Sequence, residues 1–554
     1  MAVAALLSRI LGWVRDWSIG RFWGTTGHTD TFWAAFGVPD VLYYMLAGGA
    51  LGAALIPVFS GYLVRREEQE SWRVANSLVT LFGLCAVVGI LAIIAFAAPL
   101  VSVVAPGFVA KRSPAAVAEC ASYVRLLAPM VFFTVLSALF TAVLQSHRHF
   151  TAPAMAWLVY NFGIIGGAYV GGGWIARRHH SDVLGLKVLC AGVVVGAILL
   201  VAVQIPSLLA RGFRYRPSLD LGHPGVRETI RLFVPYVIGL AFPQICLLWL
   251  PNFFGSYFQE GAVSSLRYAN RLVVLPLGLF GVAISTAAFP VMAERIAAGE
   301  VGEFRKLCSG TLRAVFFFSV PSAAALLVLA GPILRLLWRS GKLGEAGIAM
   351  AEFSLLYFSF SLIGLSGLNI LNRAFYSLKD ARTPPLVSIA WAAVTALGGV
   401  VLIITGSPLK YAGSAAAMSV GSTLGMVAMF ELLRRRLGGI DGKTIAYSFV
   451  RIVIASAAAA VGAYWVSAWL GQRLGVPVTH FAVIAPDVAG LPLAHGSKLG
   501  VVIQVLASLG FGAVAYLAVL RLLGAPELDS IGRAVRDRRR AKAAAAVPAS
   551  GVGE

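Results

Sequence analysis

The sequence predicts an all-α polytopic membrane protein with about 14 transmembrane helices. Of its 554 residues, 59% are hydrophobic and only 12% are charged, whereas soluble domains are about 25% charged. Its apolar runs are long enough to cross a hydrocarbon core about 30 Å thick. Its positive residues cluster in alternate loops, and a pattern of prolines recurs once along the chain. These observations place the chain in a membrane and indicate an internal duplication.

Run length and flanking helix breakers divide the chain into about fourteen spans. The second span contains Pro39 and Pro57, and the eighth contains Pro276 and Pro290. We expect these prolines to bend their helices without ending them, because neighbouring helices re-satisfy the freed carbonyl groups. The predicted spans are 2–24, 31–63, 74–98, 118–146, 152–172, 186–210, 226–256, 262–293, 309–330, 349–377, 384–405, 411–436, 445–471 and 498–524.

The loops orient these spans. Loops after even-numbered spans, such as "VRREEQESWR" (64–73), hold roughly two to three times as many Lys and Arg residues as loops after odd-numbered spans, such as "GTTGHTD" (24–30). Positive loops stay in the cytoplasm, so we expect both termini there. Such clusters account for the net charge of +21 as a topology signal, without nucleic-acid binding.

The duplication appears as matching residues 232 or 233 positions apart. Six spans per unit give both halves one orientation, so we expect two six-helix lobes related by a pseudo-twofold axis along the membrane normal, with a site between them. The matching pairs are Pro57 with Pro290, Pro99 with Pro332, Thr151 with Thr383, and Pro153 with Pro385. The predicted units are an N-terminal lobe at 1–210, a C-terminal lobe at 226–436, two extra helices at 445–524, and a basic, disordered cytoplasmic tail at 525–554.

The first span, "SRILGWVRDWSIGRFWG" (8–24), carries unusual charges for a membrane helix. Arg9 and Asp16 are seven residues apart and share a helical face, and Arg15 lies about 100° round from Asp16. A charge near the bilayer centre costs about 2.5–3.5 kcal/mol unless it meets water or a partner. One interpretation is structural pairing of the arginines with Asp16. The other is an anion site in a water-filled cavity.

A second-half counterpart supports the anion site. Arg271 lies in the eighth span, which repeats the second, and we expect it to face the same cavity, with Arg267 one turn away at the membrane interface. Acidic residues that we expect to be buried are scarce, namely Asp16, Asp30 and Asp40 in the first two spans and Glu352 near the start of the tenth. A cationic cavity favours an anionic substrate, and guanidinium groups match phosphate oxygens bidentately.

No residue pattern predicts an enzyme, a metal site or a cofactor. The five cysteines are scattered without a C-x-x-C pair. His480, Asp487 and His495 share one loop, but their spacing fits no metal motif. Cofactors are therefore expected to be absent, and solvated loop residues explain this set better than ligands do.

Several segments together resemble one transporter family. They are "SRILGWVRD" (8–16), "TDTFWAAFGVPDVL" (29–42), "GALGAALIPVFSGY" (49–62), "APGF" (105–108), "YANRLVVLPLGLFGVAIST" (268–286) and "FYSLKDARTP" (375–384). As an ordered set they resemble the MurJ/MviN lipid II flippases of the multidrug/oligosaccharidyl-lipid/polysaccharide exporter superfamily. This resemblance implies fourteen spans, two six-helix lobes, and a lipid-facing groove at the last two helices.

The resemblance also implies functional positions. Arg9, Arg15, Asp30 and Arg271 match charged functional positions of the family. The chain departs from it at Tyr43-Tyr44, where a basic pair is common, at Gly48, where an acid is common, and at Asn270, where Asp is common. The tyrosines could stack on sugar rings or simply pack. The predicted substrate-binding set is Arg9, Arg15, Asp16, Asp30, Tyr43, Asn270 and Arg271.

We therefore expect a monomeric flippase in a bacterial plasma membrane. It would move a polyprenyl-pyrophosphate-linked saccharide, lipid II, from the inner to the outer leaflet by alternating access, coupled to membrane potential or a monovalent cation. One alternative is a paralogous exporter of another lipid-linked glycan or a small drug. A further alternative, a membrane glycosyltransferase, would need a cluster of carboxylates or histidines on an outer loop.

The orientation can be tested by labelling. Single cysteines placed in "GTTGHTD" (24–30) should react with a membrane-impermeant maleimide from outside intact cells, because this loop follows an odd-numbered span. Cysteines placed in "RREEQESW" (65–72) should react only after permeabilisation. The reverse pattern would contradict both the orientation and an outward direction of transport.

Overall fold

The computed structural model describes residues 2–46, 50–111, 113–244, 249–339, 341–380, 382–407, 409–478 and 497–528. These residues form helices joined by short turns, and no β-strand occurs among them. The helices of the first half are α1 (Ala2–Trp23), α2 (Gly27–Leu46), α3 (Ala50–Val64), α4 (Glu68–Ala95), α5 (Ala97–Val104), α6 (Pro106–Ala110), α7 (Pro114–Leu127), α8 (Met130–Ser146), α9 (Thr151–Ala168), α10 (Ala176–His179), α11 (Asp182–Ala202) and α12 (Ile205–Leu209).

The second half begins after an extended connection at 213–220. Its helices are α13 (Pro224–Gln244), α14 (Leu250–Gly255), α15 (Ala262–Pro276), α16 (Ala283–Ala297), α17 (Val301–Val328), α18 (Ala330–Trp338), α19 (Glu345–Ser377), α20 (Thr383–Ile404) and α21 (Gly413–Arg436). Two long helices follow, α22 (Gly442–Leu474) and α23 (Lys498–Leu522). Short π-helical segments, Tyr169–Ile175 and Leu277–Val282, continue α9 and α15.

The predicted all-α membrane fold is confirmed. Within the described part of the chain, 11 helices are long and apolar enough to cross a membrane. The other three predicted spans correspond to α1, to the pair α2 and α3, and to the pair α13 and α14. The helices α1, α2 and α13 carry charged residues, and the two pairs adjoin residues outside the described part of the chain, so a search of the described residues by length and hydropathy does not detect these three spans.

The predicted second span, 31–63, corresponds to two described helices, α2 and α3, and residues 47–49 between them lie outside the described residues. Pro39 and Pro57 lie inside α2 and α3, as predicted. Pro276 is the last residue of α15, and the helical path continues through the π segment into α16.

Helix positions and left-handed residues recur in the two halves at a nearly constant spacing along the chain. Helix α4 begins 233 residues before α17, and both helices are 28 residues long. Pro57 inside α3 and Pro290 inside α16 are also 233 residues apart. Left-handed residues recur with them: Arg66 (φ 60°) corresponds to Gly299 (φ 75°), and Arg148 (φ 57°) to Lys379 (φ 58°). This recurrence supports the duplication, while the lobe boundaries and the symmetry axis stay a prediction.

The last two helices make the halves unequal. Helices α22 and α23 pack together, and α22 also packs on α17, with the Phe449 ring 5.1 Å from that of Phe316. The Tyr516 hydroxyl of α23 donates to the Phe317 carbonyl oxygen at 2.8 Å. In the most apolar stretch of each helix, 56% of α17 is buried, against 22% of its counterpart α4. Among the described helices, α22 therefore covers a face of α17 that is left more exposed on its counterpart α4.

Candidate functional site

A cavity of about 380 Å³ lies between α1 of the first half and α14, α15, α19 and α20 of the second. Its polar lining divides into two groups, which we call the charged wall and the uncharged wall. The charged group is Arg15, Asp16, Arg267 and Arg271, and the uncharged group is Asn252, Asn270, Asn369, Asn372, Ser388 and Trp391. The cavity therefore contains the residue types for binding an anion and for hydrogen bonding to a neutral polar group.

Asp16 joins the two halves at the centre of this cavity. The Arg15 Nε donates to Asp16 Oδ1 at 2.8 Å, and the Arg271 Nε lies 2.9 Å from Asp16 Oδ2. The Asp16 side chain is 8% exposed, so its charge is compensated by these two guanidinium groups rather than by bulk water. Each carboxylate oxygen therefore holds one arginine, and each arginine comes from a different half.

This arrangement leaves donors facing the cavity. A guanidinium group has five N–H donors, and the contacts with Asp16 use the Nε atoms. Within the described residues, the Nη atoms of Arg15 and Arg271 make no hydrogen bond. The Arg271 side chain is 36% exposed and that of Arg15 14%. A phosphate group could accept from both arginines while Asp16 holds them in place.

Gly12 makes room for the Arg271 guanidinium. A Cβ atom at Gly12 would lie 2.5 Å from Arg271 Nη2, closer than any real contact permits. The obstructing atom is the far end of a flexible side chain, so a larger residue would displace Arg271 rather than the backbone. The close approach of α1 to α15 therefore matters for the position of the charge more than for folding.

Arg267 also lines the cavity, and its depth at the membrane interface stays a prediction. Its guanidinium carbon lies 4.2 Å from the Trp33 ring centre, and its Nη2 lies 3.7 Å from Asp40 Oδ2. The side chain is only 20% exposed. A planar cation stacks on an aromatic face, which holds it inside the protein. The position of Arg267 along α15 does not predict these contacts, because Trp33 and Asp40 belong to a different helix, α2.

Asp30 does not line the cavity. It is buried at 3% exposure and accepts hydrogen bonds from Gly261 N at 2.7 Å, Ser264 N at 2.8 Å and Ser264 Oγ at 2.5 Å. These donors belong to the first turn of α15, whose free N–H groups attract a negative charge. Its expected place in the substrate-binding set is therefore not supported by the geometry. Asp30 instead holds α2 against the beginning of α15.

Further contacts join the halves at this end of the molecule. The Lys342 N donates to the Arg21 carbonyl oxygen at 2.8 Å, and its Nζ lies 2.7 Å from Asp182. The Gly107 N donates to Ser256 Oγ at 2.9 Å. Lys111 Nζ donates to the Phe258 carbonyl oxygen, and burial lowers the pKa of this amine. We call these contacts, together with those of Asp30, the seal.

The remaining predicted residues divide by what the structure describes. Asn270 lines the cavity beside Arg271. Arg9 and Tyr43 lie on the backbone of α1 and α2, but their side chains fall outside the described residues, as do those of Tyr44 and the residues of the 479–496 loop with His480, Asp487 and His495. In the described part of the chain, no group of three or more His, Cys, Asp or Glu residues could hold a metal ion.

Of the uncharged group, sequence reasoning predicted Asn270 and missed the other members. Asn369 and Asn372 are three residues apart on α19, and Ser388 and Trp391 have the same spacing on α20. Polar residues at this spacing face one direction from a helix. The stretch "NILNR" (369–373) inside an apolar span was the available signal, because amides in a membrane helix are expected to face a cavity or a partner.

A second, apolar cavity of about 280 Å³ lies where α17, α22 and α23 meet. Its wall includes Phe280, Phe318, Ala460 and Leu517, and it contains mostly aromatic, alanine and leucine side chains. Phe280 belongs to the π segment that continues α15. The lining suits a hydrocarbon chain rather than a polar ligand.

A family model described as "Lipid II flippase MurJ" matches residues 19–485. The chain belongs to this family. The lipid II flippase MurJ of Burkholderia cenocepacia is 29% identical over 492 residues, covering 87% of this chain and 92% of that protein. A probable lipid II flippase MurJ of Rhizobium meliloti is 30% identical over 544 residues, covering 96% and 94%.

A solved structure shares the fold of the MurJ family chain described here. It is a lipid II flippase MurJ in an inward closed conformation, with a TM-score of 0.74, 19% identity, and coverage of 94% of this chain and 98% of that one. Family membership and the many apolar helices make this chain a multi-pass bacterial membrane protein. Relatives in the family are named as flippases, which are transporters and not enzymes.

The role of Gly12 can be tested with one added methyl group. Gly12→Ala should insert and fold normally but lower transport activity, because the new Cβ displaces Arg271 from Asp16. Loss of one charge-assisted hydrogen bond corresponds to about 1.5–3 kcal/mol, or roughly 10- to 150-fold in affinity for a ligand that needs Arg271. The measurement is transport per correctly inserted molecule.

The matched control for this test is Gly89→Ala in α4, since no atom lies within 4 Å of a Cβ there. Both variants add the same methyl group to a helical glycine. Equal activity of the two variants would show that the approach of α1 to Arg271 is unimportant.

Proposed function

We propose that this protein moves lipid II from the inner to the outer leaflet of the plasma membrane for cell-wall synthesis. The observation that carries the proposal is the inter-half cavity in which Arg15 and Arg271 share Asp16, while their Nη donors make no hydrogen bond to any described residue. Family membership supports the same substrate, since relatives that align with most of this chain are named for lipid II.

The charge balance of the cavity favours a pyrophosphate. Three guanidinium groups, from Arg15, Arg267 and Arg271, meet the carboxylates of Asp16 and Asp40. The described side chains therefore leave one positive charge unmatched, and an anion would complete the balance. A pyrophosphate offers several acceptor oxygens in a spacing that two guanidinium forks can bind together. A neutral or cationic drug would gain nothing from this arrangement.

The apolar cavity at α17, α22 and α23 suits the polyprenyl tail. It adjoins the π segment after α15, the helix that carries Arg267 and Arg271. A long hydrocarbon chain could therefore remain in or beside this groove while its pyrophosphate reaches the charged wall. Only the polar headgroup would then need to cross the bilayer through protein.

Alternating access follows from the position of the seal. It lies at the end of the molecule with the α1–α2 loop, which the charge bias of the loops places outside the cell. We assign this conformation to the inward-facing part of the cycle. Breaking the contacts of Asp30 and Lys342 would separate the halves at the outer end and release the headgroup there.

Membrane potential has the right sign to drive this movement. Moving one negative charge outward gains about 2.3 kcal/mol per 100 mV, and a doubly charged pyrophosphate gains roughly twice as much. A monovalent cation is the alternative source of energy. Transport by a monomer is sufficient for this mechanism, because both walls of the cavity belong to one chain.

The charged wall is tested by measuring lipid II flipping per correctly inserted molecule in proteoliposomes. Arg15→Ala and Arg271→Ala should each lower flipping by about 10- to 150-fold, since each removes charge-assisted hydrogen bonds to the pyrophosphate. Lysine keeps the charge but loses the planar fork, so both Arg→Lys variants should retain more activity than the alanine variants.

Arg21→Ala is the matched control. Arg21 lies on the same helix, and its exposed side chain stacks on Trp17 outside the cavity. Its contact in the seal uses the backbone carbonyl oxygen, which alanine retains, so Arg21→Ala should leave flipping unchanged. Normal flipping by inserted Arg15→Ala and Arg271→Ala proteins would refute the assignment of the pyrophosphate to this wall. Poor insertion with normal activity per molecule would indicate a structural role for the ion pairs instead.

The seal is tested with Asp30→Asn and a single cysteine reporter at Val274, which lines the cavity. The amide cannot accept from all three donors on α15, so the outer end should open more often. Loss of one charge-assisted hydrogen bond predicts roughly tenfold faster labelling by an impermeant maleimide from outside.

Glu303→Gln provides the control for Asp30→Asn. Glu303 lies exposed on α17, where it pairs with Lys306 at 2.9 Å, far in sequence from the seal. This variant should label at the parental rate. If Asp30→Asn also labels at the parental rate while inserting normally, the seal does not govern access to the cavity.

A further inference from the structure

Two members of the uncharged group, Asn372 and Ser388, have side chains without hydrogen-bond partners among the described residues. In the described part of the chain, the Asn372 side chain makes no hydrogen bond, and neither does the Ser388 hydroxyl. Other amides of the same chain are used structurally: Asn76 binds the 214–216 backbone, and Asn252 donates to the Trp33 carbonyl oxygen at 3.4 Å. The side chains of Asn372 and Ser388 therefore differ from those of Asn76 and Asn252, which are hydrogen-bonded to the backbone.

Asn369, on the same wall, adds a further hydrogen-bond acceptor. The Asn369 Nδ2 donates to the Leu365 carbonyl oxygen at 2.9 Å within its own helix, which leaves the Asn369 Oδ1 as an acceptor. Unpaired amides and hydroxyls are costly inside a membrane protein unless water or a ligand meets them. The wall thus offers donors and acceptors without charge, which is the chemistry that recognises hydroxyl and acetamido groups.

The size of the cavity limits what this wall can contact. Its volume of about 380 Å³ is near the lower end of the range for ligand pockets, about 300–1,000 Å³. A pyrophosphate on the charged wall leaves space beside it for one sugar ring. Any further sugar or peptide must extend beyond the cavity in this conformation.

We propose that Asn369, Asn372 and Ser388 form a subsite for the first sugar, the one joined directly to the pyrophosphate. This inference rests on the proposed function. Recognition is then divided between the two walls. The arginines bind the pyrophosphate of any polyprenyl carrier, and the subsite on the uncharged wall distinguishes a carrier that bears a sugar from one that does not. A site built to hydrogen-bond a substrate group rejects an analogue that lacks the group, because its own polar atoms then stay unpaired.

Three probes separate the two walls: polyprenyl pyrophosphate without sugar, with one sugar, and with two sugars. Binding of each to the full-length protein in nanodiscs is measured for the parental protein, Asn372→Leu, Ser388→Ala and Arg271→Ala. We expect Asn372→Leu to weaken both sugar-bearing probes about tenfold and to leave the sugar-free probe unchanged. Ser388→Ala should give the same pattern with a smaller effect, and Arg271→Ala should weaken all three probes.

Phe360→Leu is the matched control, since Phe360 lies on α19 with a 51% exposed side chain outside the cavity. It should bind every probe as the parental protein does. The subsite is refuted if Asn372→Leu and Ser388→Ala weaken all three probes equally, weaken only the two-sugar probe, or weaken none. If the parental protein binds none of the probes, the proposed function itself fails, and the subsite with it.

Discussion

The carboxylate of Asp16, shared by Arg15 and Arg271, is the interaction on which the cavity depends. Each ion pair is short, and the acid is almost fully removed from water. Removing one member of such a buried group costs about 3–5 kcal/mol, because the remaining charge has no compensation. The three residues therefore act as a unit that sets the distance between α1 and α15, and with it the width of the cavity.

That distance also depends on backbone shape. The glycine at position 12 lets the guanidinium of Arg271 lie directly against α1. On the other side of α15, the π segment Leu277–Val282 continues the helix with a different pitch. Such segments are rare and occur often at functional sites. Here the segment leads from the charged residues of α15 to the apolar cavity that α22 and α23 complete.

Sequence reasoning recovered the features that depend on local pattern. Apolar run length predicted the helices. Repeated prolines predicted the duplication, which the recurrence of α4 as α17, 233 residues later, supports. The charges of α1 were recognised because charged residues in an apolar span are conspicuous. Arg15, Asp16, Asn270 and Arg271 were accordingly placed together before the structure showed them in one cavity.

Sequence reasoning failed where a residue's role depends on a partner far along the chain. The sequence predicts Asp30 as a substrate-binding residue. Its hydrogen-bond donors lie 231 and 234 residues away, at the beginning of α15. The sequence predicts Arg267 at the membrane interface but does not show that it lies beside Trp33 and Asp40. Asn372 and Ser388 were overlooked because neutral polar residues in membrane helices are common, and only the packing of α19 on α21 and of α20 on α21 shows which of them face a cavity.

The composition of the seal has an energetic consequence. Its contacts are hydrogen bonds and one lysine–aspartate pair, many of them made by backbone atoms. Opening would exchange these partners for water, and each exchange costs about 0.5–1.5 kcal/mol for neutral groups and about 1.5–3 kcal/mol for hydrogen bonds to a charged group such as Asp30. Water can replace each polar partner in turn, so the cost of opening this part of the interface is divided over several separate contacts.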